Sequence, residues 1–137
     1  MRNLLILAMA LLAATLMTGM GNIGGPAEGT IPKTEENVRA QLVDRMGVAT
    51  DLSRFSMDGN VFLGGRRGEG QMSVFFRDLQ EVSFGPVSGS DVPAELLLKS
   101  GRRVQLKVEK NSVFYGDTGA GAFRINAGNV QRILLPK

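Results

Sequence analysis

Hydrophobic and polar positions alternate with a period of two along much of the chain. Val104, Leu106 and Val108 alternate with Gln105, Lys107 and Glu109, the pattern of a strand with one buried face. Met72, Val74 and Phe76 alternate likewise, as do Phe123, Ile125 and Ala127. Met46-Gly47 and Ser100-Gly101 fall where hairpin turns are needed. Asp78 and Asn129 each follow a strand and precede an apolar step, Leu79 to Val82 and Val130 to Ile133. That order predicts a tight turn opened by an Asx side chain, then a short closing strand. Thr34-Glu35-Glu36 could cap a helix with Val38, Leu42 and Met46 on its apolar face. An internal repeat argues instead for a strand from about Ala40.

The repeat runs through most of the chain. Ala40 to Gly47 matches Ala94 to Gly101, and Leu52 then pairs with Leu106. Val61-Phe62-Leu63-Gly64 matches Val113-Phe114-Tyr115-Gly116, and Gly68 to Val74 matches Gly119 to Ile125. Asp78 to Phe84 matches Asn129 to Leu135. The register drifts by a few residues, and the changes fall in turn-like stretches such as Asp58-Gly59-Asn60, where a duplicated unit tolerates them. Gly85 to Ser90 reads as the connector.

The expected fold is all-β: a sandwich or partly open barrel built from two internally repeated units of short antiparallel strands. The units are 40–84 and 94–135 within a single β domain, 40–137. Separate small barrels are disfavoured, since such short units rarely bury enough surface alone. The expected core is Leu42, Leu52, Phe62, Met72, Val74, Leu79 and Val82. Their partners are Leu96, Leu106, Phe114, Phe123, Ile125, Val130 and Ile133.

The amino terminus has a different pattern. Arg2 precedes an uncharged apolar run, Leu4 to Met17, and small residues follow at Gly19, Gly21, Gly24, Gly25 and Ala27. This is the layout of a secretory signal peptide, assigned to 1–21 with cleavage after Gly21. An uncleaved segment would be a membrane anchor, the one membrane association expected. Residues 22–39, with several Gly and Pro, read as a flexible leader. Exported eukaryotic domains of this size usually lean on disulfides, and the chain has no Cys and no Asn-x-Ser/Thr sequon. An exported protein of the bacterial periplasm or cell surface is therefore expected.

Composition narrows the chemistry. The 137 residues contain no Cys, His or Trp, which removes thiol nucleophiles, Cys/His zinc sites and His-based triads. No calcium-loop spacing occurs among Asp44, Asp51, Asp58, Asp78 and Asp91, so no metal and no cofactor is expected. A net charge of +3 is no strong nucleic-acid signal. Asp117-Thr118-Gly119-Ala120 spells the active-site tetrapeptide of retroviral-type aspartic proteases, whose Asp works with a symmetry mate. Too little chain follows Ala120 for that fold, and the matching loop carries Arg66-Arg67-Gly68-Glu69. The tetrapeptide therefore reads as a hairpin turn, and no catalytic residue is assigned.

The remaining candidates are basic. Arg66 and Arg67 lie in the glycine-rich loop Gly64 to Gly70, whose backbone N–H groups and guanidinium groups could cradle an anion. Arg102 and Arg103 follow the Ser100-Gly101 turn, and if both turns share one end they make a basic rim. The repeated pattern Gly-x-Gly-x-hydrophobic-x-hydrophobic, then Asp/Asn-hydrophobic-x-x-hydrophobic, runs from Gly68 to Val82 and from Gly119 to Ile133. It resembles small uncharacterised exported bacterial β proteins, a resemblance that implies a β fold and an envelope address. The expected function is a non-catalytic envelope domain that binds or supports an envelope protein partner. An edge strand near Gln41 to Arg45 or Ile133 to Leu135 would do the pairing. The alternative is a module for an anionic ligand (glycan, lipid headgroup or nucleic acid) using Arg66, Arg67, Arg102 and Arg103.

Overall fold

The computed structural model describes residues 26–27 and 29–136. The signal segment expected at 1–21 lies outside the described residues. What is described is nearly all β, a ten-stranded antiparallel sheet curled into a half-barrel. The strands are β1 (Ala40–Asp44), β2 (Ala49–Met57), β3 (Phe62–Arg67), β4 (Gly70–Phe75) and β5 (Leu79–Phe84). They continue with β6 (Asp91–Leu98), β7 (Arg103–Glu109), β8 (Val113–Asp117), β9 (Ala122–Asn126) and β10 (Val130–Leu134). The segment left open between helix and strand is strand β1, and its turn carries Gly47 at φ 85°. Only glycine adopts that backbone region without a Cβ penalty.

The order across the sheet is β4-β3-β7-β6-β5-β10-β1-β2-β8-β9. It is symmetric about the β5–β10 seam, each strand of β1–β5 mirrored by its counterpart in β6–β10. The hairpins are exchanged, however. Hairpin β3–β4 lies against β7, and hairpin β8–β9 lies against β2. Equivalent backbone bonds recur: Arg45 N–H donates to Asn129 O and Lys99 N–H to Asp78 O.

Three expectations change. Asp78 and Asn129 do not open their turns; each closes a short 3-10 turn, Phe76–Asp78 and Ala127–Asn129, with no side-chain cap. The leader is not free along its whole length. Val38 belongs to the core, its carbonyl accepts Phe55 N–H, and Asn37 Oδ1 accepts Arg54 N–H at 2.7 Å. Finally, β1 and β10 are central strands, each paired on both sides, so neither can be an edge. The edges are β4 and β9.

The core also corrects the register of the repeat. Leu63 faces Val74 across the β3–β4 hairpin, and Phe114 faces Ile125 across β8–β9. Since Val74 matches Ile125, Leu63 matches Phe114 and Gly65 matches Gly116. A slip of one residue reverses the face of every side chain in a strand. Hence Leu63 is fully buried while Phe62 is half-buried beside Phe75. Met72, Phe123 and Ile125 are likewise only partly buried, whereas Phe55 and Phe76 join Phe114 at the centre.

Gly65 and Gly116 have a common reason. A Cβ on Gly116 would lie 2.8 Å from Leu52 Cβ, and one on Gly65 would lie 3.0 Å from Leu106 Cβ. Glycine lets the exchanged hairpin approach the long strand of the other half. Gly116→Ala removes about 0.5–1 kcal/mol of glycine's entropic disadvantage, but overpacking costs about 1–3 kcal/mol. We expect a net loss of about 1–2 kcal/mol in urea unfolding. A Gly116→Ala protein as stable as the parent would overturn the close approach.

Candidate functional site

Curling gives each half a shallow groove on the solvent side of four neighbouring strands. The first crosses β3, β7, β6 and β5, with a volume of about 850 Å³. The second crosses β8, β2, β1 and β10, with a volume of about 770 Å³. Apart from Gln80 of β5, which lines the second groove alone, their linings correspond segment by segment. Arg66, Arg67 and Gly68 correspond to Asp117, Thr118 and Gly119, and Ser83 to Gly85 to Leu134 to Pro136. Pro93 to Glu95 corresponds to Arg39 to Gln41, and Gln105 to Lys107 to Asp51 to Ser53. The grooves are similar in size, so side-chain chemistry is what separates them.

That chemistry differs in sign. The first groove holds Arg66, Arg67 and Lys107 against Glu95, while the second holds Asp51 and Asp117 against Arg39. Arg66 and Lys107 face each other directly across the β3–β7 ladder. Like charges opposed in this way weaken a sheet. Asp91 relieves the repulsion by ion-pairing with Arg66. Glu95 is engaged by Arg103 at 2.6 Å. Arg67 and Lys107 have no ion-pair partner among the described residues.

The structure therefore divides the four predicted arginines. Arg66 and Arg67 both border the first groove, but as neighbours on one strand they leave opposite faces, and Arg66 is the one that shares the face of Lys107. Arg103 reaches it through Glu95, and Arg102 lies on the β6–β7 turn and lines neither groove. Because β3 and β7 are antiparallel, the Arg67 end of β3 lies toward the Arg103 end of β7. Sequence reasoning did not assign Lys107, Glu95, Gln105 and Ser83 to a site. The outward positions of Gln105 and Lys107 are visible in the alternation of β7, but Glu95 on β6 and Ser83 on β5, which complete the groove, are distant in sequence.

Other chemistry-bearing residues are satisfied locally or stand apart. Asp117 Oδ1 accepts Gly119 N–H at 2.8 Å, and Thr118 Oγ1 donates to Gly121 O at 2.8 Å. The protease-like tetrapeptide thus closes on itself as a hairpin turn, and Arg66 rather than an acid stands at the equivalent place. Ser56 is fully buried, and among the described residues its hydroxyl has no hydrogen-bond partner, a base included. Among the described residues, no three acidic side chains converge as a metal-binding group would require.

The edges are a second feature of interest. Among the described residues, β4 pairs only with β3 and β9 only with β8, leaving one backbone edge of each open. A cation–aromatic contact stands at each: the Arg77 guanidinium lies 4.5 Å from the Phe75 ring centre, and that of Arg124 lies 5.5 Å from Tyr115. Phe75 is 41% exposed, enough to offer an aromatic surface to a neighbour.

No curated protein and no solved structure matches the chain. A family model described as "Uncharacterised protein" matches residues 34–137, which take in all ten strands and both grooves. The chain belongs to that family of uncharacterised proteins.

Proposed function

We propose that this chain is a non-catalytic interaction domain of the bacterial envelope, exported by its amino-terminal segment and pairing with another envelope protein. The observation that carries the reading is the pair of open sheet edges, β4 and β9. An unpaired edge presents a row of N–H and C=O groups that an extended segment can complete as an added strand. Arginine and aromatic side chains are enriched where proteins meet, and both edges carry them at Phe75, Arg77 and Arg124. Neither edge has proline or an inward-pointing charge, two devices that block strand addition.

The test places a photo-crosslinking residue at Ser73 on β4, at Arg124 on β9, and at Asn111 on the β7–β8 turn as control. One reproducible protein adduct confined to the edge positions is expected in cells. Adducts of equal yield at Asn111, or none at either edge, would overturn the reading.

A further inference from the structure

We propose that β4 pairs with β4 of a second copy of this chain, joining two half-barrels across a twofold axis at Ser73 into one continuous sheet. The proposal rests on the open-edge reading and divides the edges, β4 to the second copy and β9 to the envelope partner. Its starting point is the regularity of β4. The register with β3 runs without a bulge from Phe75 opposite Phe62 to Gly70 opposite Arg67. No residue from Gly70 to Phe75 is charged. A regular, uncharged, exposed edge is the kind that recruits another strand.

Backbone geometry selects the register. Gly68, at φ 60°, is the first central residue of the two-residue β3–β4 turn, so Arg67 and Gly70 flank it as a hydrogen-bonded pair. Bonded and unbonded pairs alternate along an antiparallel ladder. Gly70, Met72 and Val74 therefore bond to β3, while Gln71, Ser73 and Phe75 turn their N–H groups to the open edge. One twofold register pairs all three: Ser73 meets the second copy's Ser73, and Gln71 meets the second copy's Phe75. Sliding the strands either way leaves Gln71 or Phe75 beyond the end of the other β4.

Side chains agree with that register. Met72, packed against the core but only partly buried, meets the second copy's Val74 on the inner face. Past the strand ends, the exposed Glu69 of each copy comes toward the exposed Arg77 of the other. Neither has an ion-pair partner among the described residues. The other edge does not suit the same pairing. Arg124 on β9 stands where Ser73 does on β4, so the equivalent axis would oppose two guanidinium groups.

The chain has no Cys, so single introduced thiols report the register on the purified full chain. Bonded antiparallel partners lie about 5.5 Å apart between Cα atoms, within disulfide reach. Gln71 would lie about 13 Å along the strand from the second copy's Gln71, out of reach. Under mild oxidation, Ser73→Cys should form a disulfide dimer at least about tenfold faster than Gln71→Cys or Arg124→Cys. Sedimentation of the parent should show a monomer–dimer equilibrium between about 1 and about 500 μM, since so short a contact makes a weak dimer. Ser73→Lys opposes two like charges and should stay monomeric, with unchanged thermal unfolding at low concentration as its folding control.

Equal trapping at the three positions, dimerisation of Ser73→Lys, or a parent that stays monomeric would each overturn the dimer. Assemblies larger than a dimer would overturn the closed twofold. Photo-crosslinks read the envelope partner separately. Partner adducts at Arg124 without the Ser73 disulfide overturn the dimer alone. The disulfide with no other protein crosslinked at either edge overturns the envelope-partner reading alone.

Discussion

Deleting residues 133–137 is expected to remove most of the domain's stability. Ile133 is fully buried and Leu135 nearly so, and losing each forfeits about 1.5–3 kcal/mol of burial. The deletion also removes the β10 positions that face Gln41 and Leu42 on one side and Val82 and Glu81 on the other. Those pairs lie at the seam between the two halves, so both lose a neighbour at once. A domain of this size has about 5–15 kcal/mol in total, and the combined loss is of that order. Circular dichroism should show a broadened or absent thermal transition. Ile133→Ala, expected to cost about 2–5 kcal/mol, gives a measurable version if the truncation does not fold. A truncated chain melting at the parent temperature would remove β10 from the centre of the sheet.

The same strand shows how far the sequence could be read. Its apolar step, Val130 to Ile133, marks it as a closing strand, and both residues are fully buried. Its position at the centre is not local information. An apolar tail at the end of a chain suits an edge strand equally well, and only the pairing with both β1 and β5 separates the cases. The exchanged hairpins follow the same rule. Alternation in Met72 to Phe76 and Phe123 to Ala127 reveals strands, yet nothing along the chain says that β3 will leave β2 and lie on β7.

Local signals succeeded where a turn or a face fixes itself. Gly47 and Gly101, at φ 85° and 90°, close the two turns that Met46-Gly47 and Ser100-Gly101 suggest. Leu96, Leu106 and Val108 are buried as their alternation requires. The signals failed where two residues of similar character stand side by side. Phe62 and Leu63 are both large and apolar, so matching Phe62 to Phe114 by type placed the wrong one inside. The candidate site shows both outcomes. Arg66 and Arg67 were legible from a glycine-rich loop, whereas Lys107 and Glu95 reach the groove only through strand order.

That register supplies the other large effect, Phe55→Ala. Phe55 is fully buried, with Phe76 and Phe114 ring centres at 4.9 and 5.5 Å. It stands just past Arg54, a non-glycine residue at φ 50°, where β2 turns from its pairing with β1 to its pairing with β8. Truncation leaves a cavity bounded by rings from β8 and the first 3-10 turn. Those elements are tied down by backbone pairing, so the cavity cannot easily collapse. The expected loss is about 3–5 kcal/mol in urea unfolding. Phe62→Ala should cost less than about 1.5 kcal/mol, because that ring already meets solvent and its main aromatic neighbour is the exposed Phe75. The ratio of the two losses tests the register rather than general fragility. Equal losses would place Phe62 inside, shift β3 by one residue, and turn Arg66 away from the face it shares with Lys107, dissolving that basic pair along with the core.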